Sequence, residues 1–396
     1  SYPSVMATAA PTRPPLWRDV RVLRVAGQAL FVVLLMVVAR EAFLNLEFGV
    51  RRQGIDLSFD FLENRAGFGI KEGALAYSPN ESFFKAFLVG VVNTVTVASV
   101  GLVLATLLGL VIGVARLSTN WLVRRIAQAY VEVIRNIPVL VQIIFWWVAV
   151  ILALPVIGGG LSLGGVAFLS NRGAAILWPR LGPGAGVWGL FLLGAAAVAA
   201  GTWRWRARVS DRTGAPPRRF LFSAGAFLAV AVVGYAVSGG PLSLDVPEPS
   251  RFGYQGGVQV SSEYTALLLG LVIYTAAFIA EIVRGSILAV SRGQKEAAEA
   301  LGLSPGQQLR LVVLPQALRI AIPPINSQYL NLTKNSSLAI AIGYPEIVSV
   351  SSTIINQAGR ATQMLLLVMA TYLTLSLIIS VVMNGLNRLV TSRGEL

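Results

Sequence analysis

The chain has 396 residues, of which 55% are hydrophobic and only 13% are charged. A soluble domain carries about 25% charged residues, so this composition indicates a protein that resides in a membrane. The chain contains no cysteine and no histidine. Their absence excludes disulfides, thiol nucleophiles, imidazole acid–base chemistry and metal sites built on those residue types. A net charge of +14 is compatible with a nucleic-acid partner, but the placement of the basic residues favours another explanation.

Eight stretches of the sequence are long and apolar enough to cross a membrane. A membrane-spanning helix needs about 20 mostly apolar residues. We therefore predict an all-α polytopic membrane protein with about eight transmembrane helices. The predicted spans are, in chain order, 23–43, 86–115, 137–154, 187–203, 220–237, 264–284, 323–342 and 364–387.

The Lys and Arg residues between the spans indicate the orientation of the chain. If the N-terminus is cytoplasmic, most of these residues fall in cytoplasmic segments, as the positive-inside rule requires. We therefore expect residues 1–22 to form a cytoplasmic tail and the C-terminus to lie on the same side. On this interpretation the basic surplus reflects topology, and we expect no nucleic-acid partner.

Two regions are expected to lie outside the main helix bundle. Residues 23–85 contain the first span and a long external segment, 44–85, with aromatic and charged residues. Residues 155–263 contain the fourth and fifth spans, which are short, rich in Ala and Gly, and flanked by external segments rich in Gly and Pro. We predict that 155–263 is inserted into a simpler bundle. Its connection 204–219 carries Trp and Arg residues that suit lipid headgroups.

The cytoplasmic loop 290–322 is moderately polar and helix-prone. Its segment KEAAEALGL predicts a short helix that ends at Gly302, where a positive φ suits a helix C-terminus. Ser304 and Pro305 suit the N-cap and the first position of a second helix, which Pro315 is expected to bend or break. The residues alone leave two interpretations open: a stiff connection between spans, or a knob that contacts a partner.

The same loop resembles the EAA signature of the permeases of bacterial ABC importers. The resemblance implies that 290–322 is the coupling helix, which docks into a groove on a cytoplasmic ATPase. Val312 stands where Ile is common in the signature. The residues that match are Glu296, Ala297, Ala298, Gly302, Leu314 and Pro315.

Further stretches, YVEVIRNIPVLVQIIFWW and PPINSQYLNLTKNSSLAIAIGYPEI among them, resemble the polar amino-acid branch of these permeases, the histidine/glutamine type. The resemblance implies a type I importer core of five helices. Core helices 1 and 2 would lie in 86–154, and core helices 3 to 5 in 264–396. The N-terminal helix and the two-helix insert would be additions, a layout closest to the larger permease subunits of general L-amino-acid importers.

The resemblance also implies a set of partners in the bacterial cytoplasmic membrane. A periplasmic binding protein would deliver polar L-amino acids, and two ATPase subunits would drive their transport. A second permease subunit is needed to enclose the path, and we expect a similar chain in a heterodimer. The chain has no Gly-Lys pair and therefore no Walker A loop. We expect it to have no catalytic residue, metal or cofactor, with ATP and Mg²⁺ bound by the ATPases.

Polar residues within the spans are candidates for the transport path. An ionisable side chain in a span should face protein or water, and Lys334 is predicted to lie within the seventh span among other polar residues. The cluster could contact an amino acid, or it could form hydrogen bonds between helices or at a subunit interface. Gln142 and Phe145 follow a Pro break, beside Trp residues that could instead be interfacial anchors. The candidate path residues are Gln142, Phe145, Ser327, Asn331, Lys334, Asn335 and Ser336.

Two acid-x-x-Arg sequences place both of their side chains on one helix face. Glu132 with Arg135, and Glu281 with Arg284, lie near the cytoplasmic ends of spans. We predict two structural ion pairs that brace the cytoplasmic loop.

A stand-alone secondary transporter or channel is the rival interpretation of the chain. Such a protein would use buried acids as proton or sodium relays. No Asp or Glu falls near the centre of any predicted span, which favours the importer interpretation.

Overall fold

The computed structural model describes residues 20–52, 58–156, 161–213, 218–250 and 254–392. The chain divides into two units, Ser1–Phe61 and Leu62–Leu396. The α-helices are α1 (Val20–Arg52), α2 (Phe83–Ala115), α3 (Trp121–Arg135), α4 (Val139–Phe145), α5 (Ala185–Thr213), α6 (Arg219–Val237), α7 (Ser262–Leu288), α8 (Arg292–Ala300), α9 (Pro305–Gln308), α10 (Leu314–Asn335), α11 (Ile347–Ala358) and α12 (Ala361–Ser392).

Within the described residues, six helices are long and apolar enough to cross a membrane, and two bent helix pairs raise the number to as many as eight. The predicted fold class, with about eight membrane helices, is confirmed. The first unit contributes one of these spans, Leu23–Ala42, which is exposed along its length. An apolar helix with no buried face suits direct contact with lipid.

The core of the second unit forms where α2 packs closely against α7. Small residues on α2, Gly109 and Gly113 among them, permit the approach. A Cβ atom at Gly109 would lie 2.7 Å from the Cβ of Ile279, and one at Gly113 would lie 2.9 Å from the Cβ of Val283. Any larger residue at these two positions would push the helices apart.

The third predicted span, 137–154, is the second arm of a sharply bent pair. The amphipathic helix α3 precedes it, and the two arms meet at an angle of 104°. Pro138 lies at the bend. A proline disfavours the helical conformation in the residue before it, so it suits a position where one helix ends and another begins. After α4 the span continues through a π-helical turn, Trp146–Ile151.

The seventh predicted span also belongs to a broken pair. Helix α10 passes into a 3₁₀ segment, Ser336–Ile342, and the chain turns by 52° before α11. Gly343 makes the break possible because its φ of +77° is disfavoured for residues with a Cβ. Glu346 then caps α11, accepting hydrogen bonds from the backbone N–H groups of Val348 at 3.0 Å and Ser349 at 2.8 Å.

The inserted region consists of a helical hairpin, α5 with α6, and small antiparallel sheets. The segments on either side of this hairpin were expected to be external loops, and the strands found in them were not predicted. The largest sheet has the order β1-β2-β3-β8, and β8 leads directly into α7. The strands are β1 (Leu161–Leu163), β2 (Ala167–Ser170), β3 (Gly173–Ile176), β4 (Trp178–Leu181), β5 (Leu242–Asp245), β6 (Glu248–Pro249), β7 (Tyr254–Gln255) and β8 (Val258–Ser261).

Candidate coupling elbow and transport path

Residues 292–315, which we term the coupling elbow, contain the signature residues of the loop 290–322. Helix α8 ends in a Schellman motif, in which Leu303 N donates to Ala298 O at 3.1 Å and Gly302 N donates to Glu299 O at 2.9 Å. Gly302 has a φ of +73°, the left-handed conformation that this motif requires. Helix α8 therefore ends just before Gly302, as the sequence predicts.

The second half of the elbow begins at a capped helix start. Ser304 N donates to the side chain of Gln307 at 2.9 Å, and Pro305 occupies the first turn, as predicted. Pro315 does not break the helix, because the chain stays helical on both sides of it, but the type of helix changes immediately before it. A π-helical turn, Leu309–Val313, precedes α10, and Pro315 lies in the first turn of α10, where it disturbs the helix least.

The outer surface of the elbow is apolar and exposed, while one alanine anchors its inner surface. Leu301 is 79% exposed, and Leu309 and Leu311 are also exposed. Ala298 is buried, whereas Ala297 and Glu296 are exposed. The side chain of Glu296 lies 4.0 Å from that of Arg292. This surface suits docking to a partner because exposed leucines beside charged groups favour protein contacts.

Four of the candidate path residues lie along one side of α10, which we term the polar face. Ser327, Asn331 and Lys334 are exposed, and Asn335 is half-buried. Their spacing of three to four residues puts them on adjacent turns of one helix side. Ser336 does not join them: it is fully buried, and its hydroxyl donates to Thr333 O at 2.7 Å.

The two candidates from the third span lie in different surroundings. Gln142 is 4% exposed, and its side-chain Nε2 donates to Ile134 O at 2.9 Å and Ile137 O at 3.0 Å. These are carbonyls at the bend between α3 and α4, so Gln142 stabilises the bend rather than lining a path. Phe145 is 54% exposed and packs edge-on against Trp146.

One of the two predicted ion pairs is present. Glu281 Oε1 lies 2.6 Å from Arg284 Nη2, and its other oxygen binds Arg116 at the end of α2. Arg116 could not be recognised as a partner from the sequence, because it lies 165 positions from Glu281.

Glu132 and Arg135 do not form the second pair among the residues that the structure describes. Glu132 instead accepts from Gln128 at 2.7 Å. The Arg135 guanidinium lies over the ring of Phe278 at 5.0 Å, where a cation–π contact holds it.

Comparison with known proteins shows which family has this organisation. Residues 223–394 match the family model described as the binding-protein-dependent transport system inner membrane component. The Escherichia coli protein YhdX is 42% identical over 362 residues, which cover 91% of this chain and 92% of YhdX. The chain belongs to this permease family. It is therefore a multi-pass membrane component of a transport complex that works with an ATPase and a binding protein.

Two further relatives match this permease over about nine-tenths of their own length. The general L-amino acid transport system permease protein AapQ of Rhizobium johnstonii is 41% identical, with 91% of each chain covered. The glutamate/glutamine/aspartate/asparagine transport system permease protein BztB of Rhodobacter capsulatus is 40% identical, with 91% of this chain and 90% of BztB covered. The match includes the inserted region as well as the helices that flank it.

Proposed function

We propose that this permease is the membrane subunit of an ATP-driven importer of polar L-amino acids. A periplasmic binding protein delivers the substrate, and separate ATPase subunits bind ATP and Mg²⁺. The names of AapQ and BztB, each matched over about nine-tenths of its length, support this substrate class. A second permease subunit, a similar chain in a heterodimer, completes the path, and both chain ends lie in the cytoplasm.

The observation that carries the proposal is the continuity of α10. This helix begins inside the coupling elbow at Leu314 and ends at Asn335, in the polar face. Its 22 residues correspond to a length of about 33 Å at 1.5 Å per residue. Pro323 and Pro324 lie inside this helix, where each removes a backbone N–H donor, but the chain stays helical through them. A displacement of the elbow can therefore pass along α10 to the polar face, so that ATPase closure can rearrange the substrate path.

The polar face supplies groups that suit an amino acid. Lys334 carries the positive charge that attracts an α-carboxylate, and Asn331 and Asn335 offer hydrogen bonds. Since Ser327, Asn331 and Lys334 are exposed on the isolated chain, the face is open to a path or to the second subunit. An ammonium group at a lipid surface would be costly, so the face lies inside the assembly, and we assign it to the path because its amide and ammonium groups suit an amino acid.

The rival, a secondary transporter, would need a relay of buried acids, and Glu346 is the only fully buried acid among the described residues. Glu346 is fully buried near a helix break, but its carboxylate already has three hydrogen-bond partners. Besides the two backbone N–H groups at the start of α11, the Tyr372 hydroxyl lies 3.2 Å away. Glu346 therefore acts as a helix cap with a satisfied carboxylate.

A pair of glycine substitutions tests the coupling role of the elbow. Gly302→Ala forces a side chain into the left-handed conformation, whereas Gly306→Ala places one in ordinary helix, and neither Cβ would meet another atom within 4 Å. We expect Gly302→Ala to reduce uptake by about tenfold or more while membrane insertion persists, since a strained residue costs about 1 kcal/mol or more and disturbs the docking geometry. Gly306→Ala should retain uptake.

The measurement is amino-acid uptake and ATP hydrolysis by proteoliposomes that contain the whole assembly. Glu296→Ala is examined in parallel, because it removes an exposed charge of the signature without altering the backbone. Normal coupled uptake in both Gly302→Ala and Glu296→Ala would contradict the coupling role. Failure of the ATPase to co-purify with the wild-type chain would contradict the importer itself.

A further inference from the structure

A cavity of about 640 Å³ lies where the inserted sheet, the segment before α2 and the start of α7 meet. This volume is in the range of small-molecule sites. We term it the outer cavity, since the loops around it are those predicted to be external. The charged groups that line it are Lys71, Glu72, Arg172 and Glu263, and its polar groups include Asn171.

Three distant parts of the chain hold Glu72 in place in this cavity. Its backbone carbonyl accepts from the buried side chain of Asn93 on α2 at 2.9 Å. The same amide group of Asn93 also donates to Pro345 O at 2.8 Å, which ties the segment to the break before α11. One carboxylate oxygen of Glu72 accepts from Ser261 N at 3.2 Å. The carboxylate is therefore fixed before any ligand arrives.

Two acceptor atoms in the outer cavity lack a hydrogen-bond donor. Glu72 Oε2 and Asn171 Oδ1 are both buried and both unpartnered among the described residues. The other acid of the cavity, Glu263, differs because Lys71 lies 3.4 Å from one of its oxygens and the Ser262 hydroxyl donates to the other at 2.8 Å. An unpaired buried acceptor is costly, so these two atoms favour a ligand that donates hydrogen bonds.

The insert positions Asn171 and Arg172 at the tip of a two-residue hairpin. Ser170 pairs with Gly173 across the β2–β3 turn, which leaves Asn171 and Arg172 as the loop. Gly173 is required here, because a Cβ atom at this position would lie 2.0 Å from Val260 O of β8. The close pairing of β3 with β8 brings the hairpin tip beside the start of α7.

The charges of the outer cavity select a class of ligand. Lys71 and Arg172 contribute two positive charges, and Glu72 and Glu263 contribute two negative charges. A cavity with both signs and no net charge favours a dipolar ligand over a simple cation or anion. The unpartnered oxygens can accept hydrogen bonds from an ammonium group, and the two basic residues can attract a carboxylate.

We propose that the outer cavity is a binding site for the α-ammonium and α-carboxylate groups of a free amino acid, separate from the polar face of α10. Glu72 and Asn171 bind the ammonium group, and Lys71 and Arg172 bind the carboxylate. The inference rests on the proposed function for its substrate class, and it gives the inserted sheet a role in binding substrate at the external end of the permease.

The test measures equilibrium binding of radiolabelled L-glutamine to the whole permease assembly in nanodiscs without binding protein. We expect saturable binding that Glu72→Gln weakens by about tenfold or more, because a charge-assisted hydrogen bond is lost. Asn171→Ala should weaken it by about three- to tenfold for a neutral bond. Glu63→Gln, an exposed acid in the same segment, is the matched control and should bind as the wild type does.

Two additional measurements separate recognition from damage to the fold. Analogues of glutamine that lack either the α-amino or the α-carboxylate group should fail to compete with the labelled ligand. Burial raises the pKa of Glu72, and the carboxylate of Glu263 raises it further. Binding should therefore fall as the pH decreases toward that raised pKa, and Glu72→Gln should abolish this dependence. The other ionisable groups around Glu72 are Lys71, Arg172, Tyr264 and Tyr344.

The outcomes distinguish this inference from the function on which it rests. If Glu72→Gln binds glutamine as tightly as the wild type, or if the wild type transports glutamine but shows no binding, the outer cavity assignment is overturned and the importer stands. If the wild-type assembly, supplied with binding protein and ATP, takes up no amino acid at all, the proposed function fails as well.

Discussion

The coupling elbow and the outer cavity are built in opposite ways. The hydrogen bonds that close the turn of the elbow join residues a few positions apart, such as Gly302 to Glu299 and Ser304 to Gln307. The bonds that shape the outer cavity join distant residues: Asn93 is 252 positions from Pro345, and Ser261 is 189 positions from Glu72. One region is specified locally, and the other exists only after the core has formed.

This difference predicts where the permease is sensitive to mutation. A locally specified helix end can lose one bond and keep its neighbours, because each cap stabilises only its own helix. A polar bridge between distant segments is buried, and its loss leaves groups on two segments without a partner. Stability should therefore depend on the bonds around the outer cavity, and coupling should depend on the elbow.

Asn93→Ala should have the largest effect on stability. The substitution removes the donor to Glu72 O and Pro345 O, and two buried carbonyls without a partner cost about 2–4 kcal/mol in total. The melting temperature of the assembly in nanodiscs should fall clearly. Asn331→Ala, on the exposed polar face, is the control and should leave it nearly unchanged. Equal melting temperatures for the two variants would contradict the expectation that stability depends on the bonds around the outer cavity.

Glu281→Gln should have an intermediate effect, because this carboxylate joins Arg116 and Arg284. Without its charge, two guanidinium groups remain close together, at a cost of about 1–3 kcal/mol for a partly buried charged network. Glu132→Gln removes an acid that forms no ion pair in the described structure, and the change should be within about 0.5 kcal/mol. Comparable thermal shifts in both variants would indicate that the predicted Glu132–Arg135 pair exists after all.

Ser304→Ala should have the smallest effect on stability. The substitution removes the hydrogen bond that the Ser304 hydroxyl donates to Gln307 Oε1 at 2.9 Å, which contributes about 0.5–1.5 kcal/mol. This bond lies on the exposed elbow, beside a Pro that independently favours the helix start. We expect a shift in melting temperature smaller than that of Asn93→Ala and a measurable loss of ATPase stimulation by substrate. A larger destabilisation than that of Asn93→Ala would reverse the proposed order of the two regions.

The same contrast explains what the sequence alone could predict. The spans follow from continuous apolar stretches, and the elbow follows from Gly, Ser and Pro at helix ends, so both are visible over short windows. Gln142 looked like a path residue because its polar side chain follows the Pro break, but the side chain donates to carbonyls only five and eight positions earlier, at the bend. Arg116 and Glu72 were missed since their partners are more than 100 positions away. The strands of the insert are too short for an alternating pattern to identify.

The π-helical turn at Leu309–Val313 determines the angular relation between the first part of the elbow and α10. Each additional residue rotates everything that follows it by about 100° about the helix axis. The wide turn therefore sets the direction in which Lys334 points relative to the docking leucines of the elbow. Evolution can adjust this direction by gaining or losing a single residue in the turn, which would redirect the ammonium group without changing the chemistry at either end.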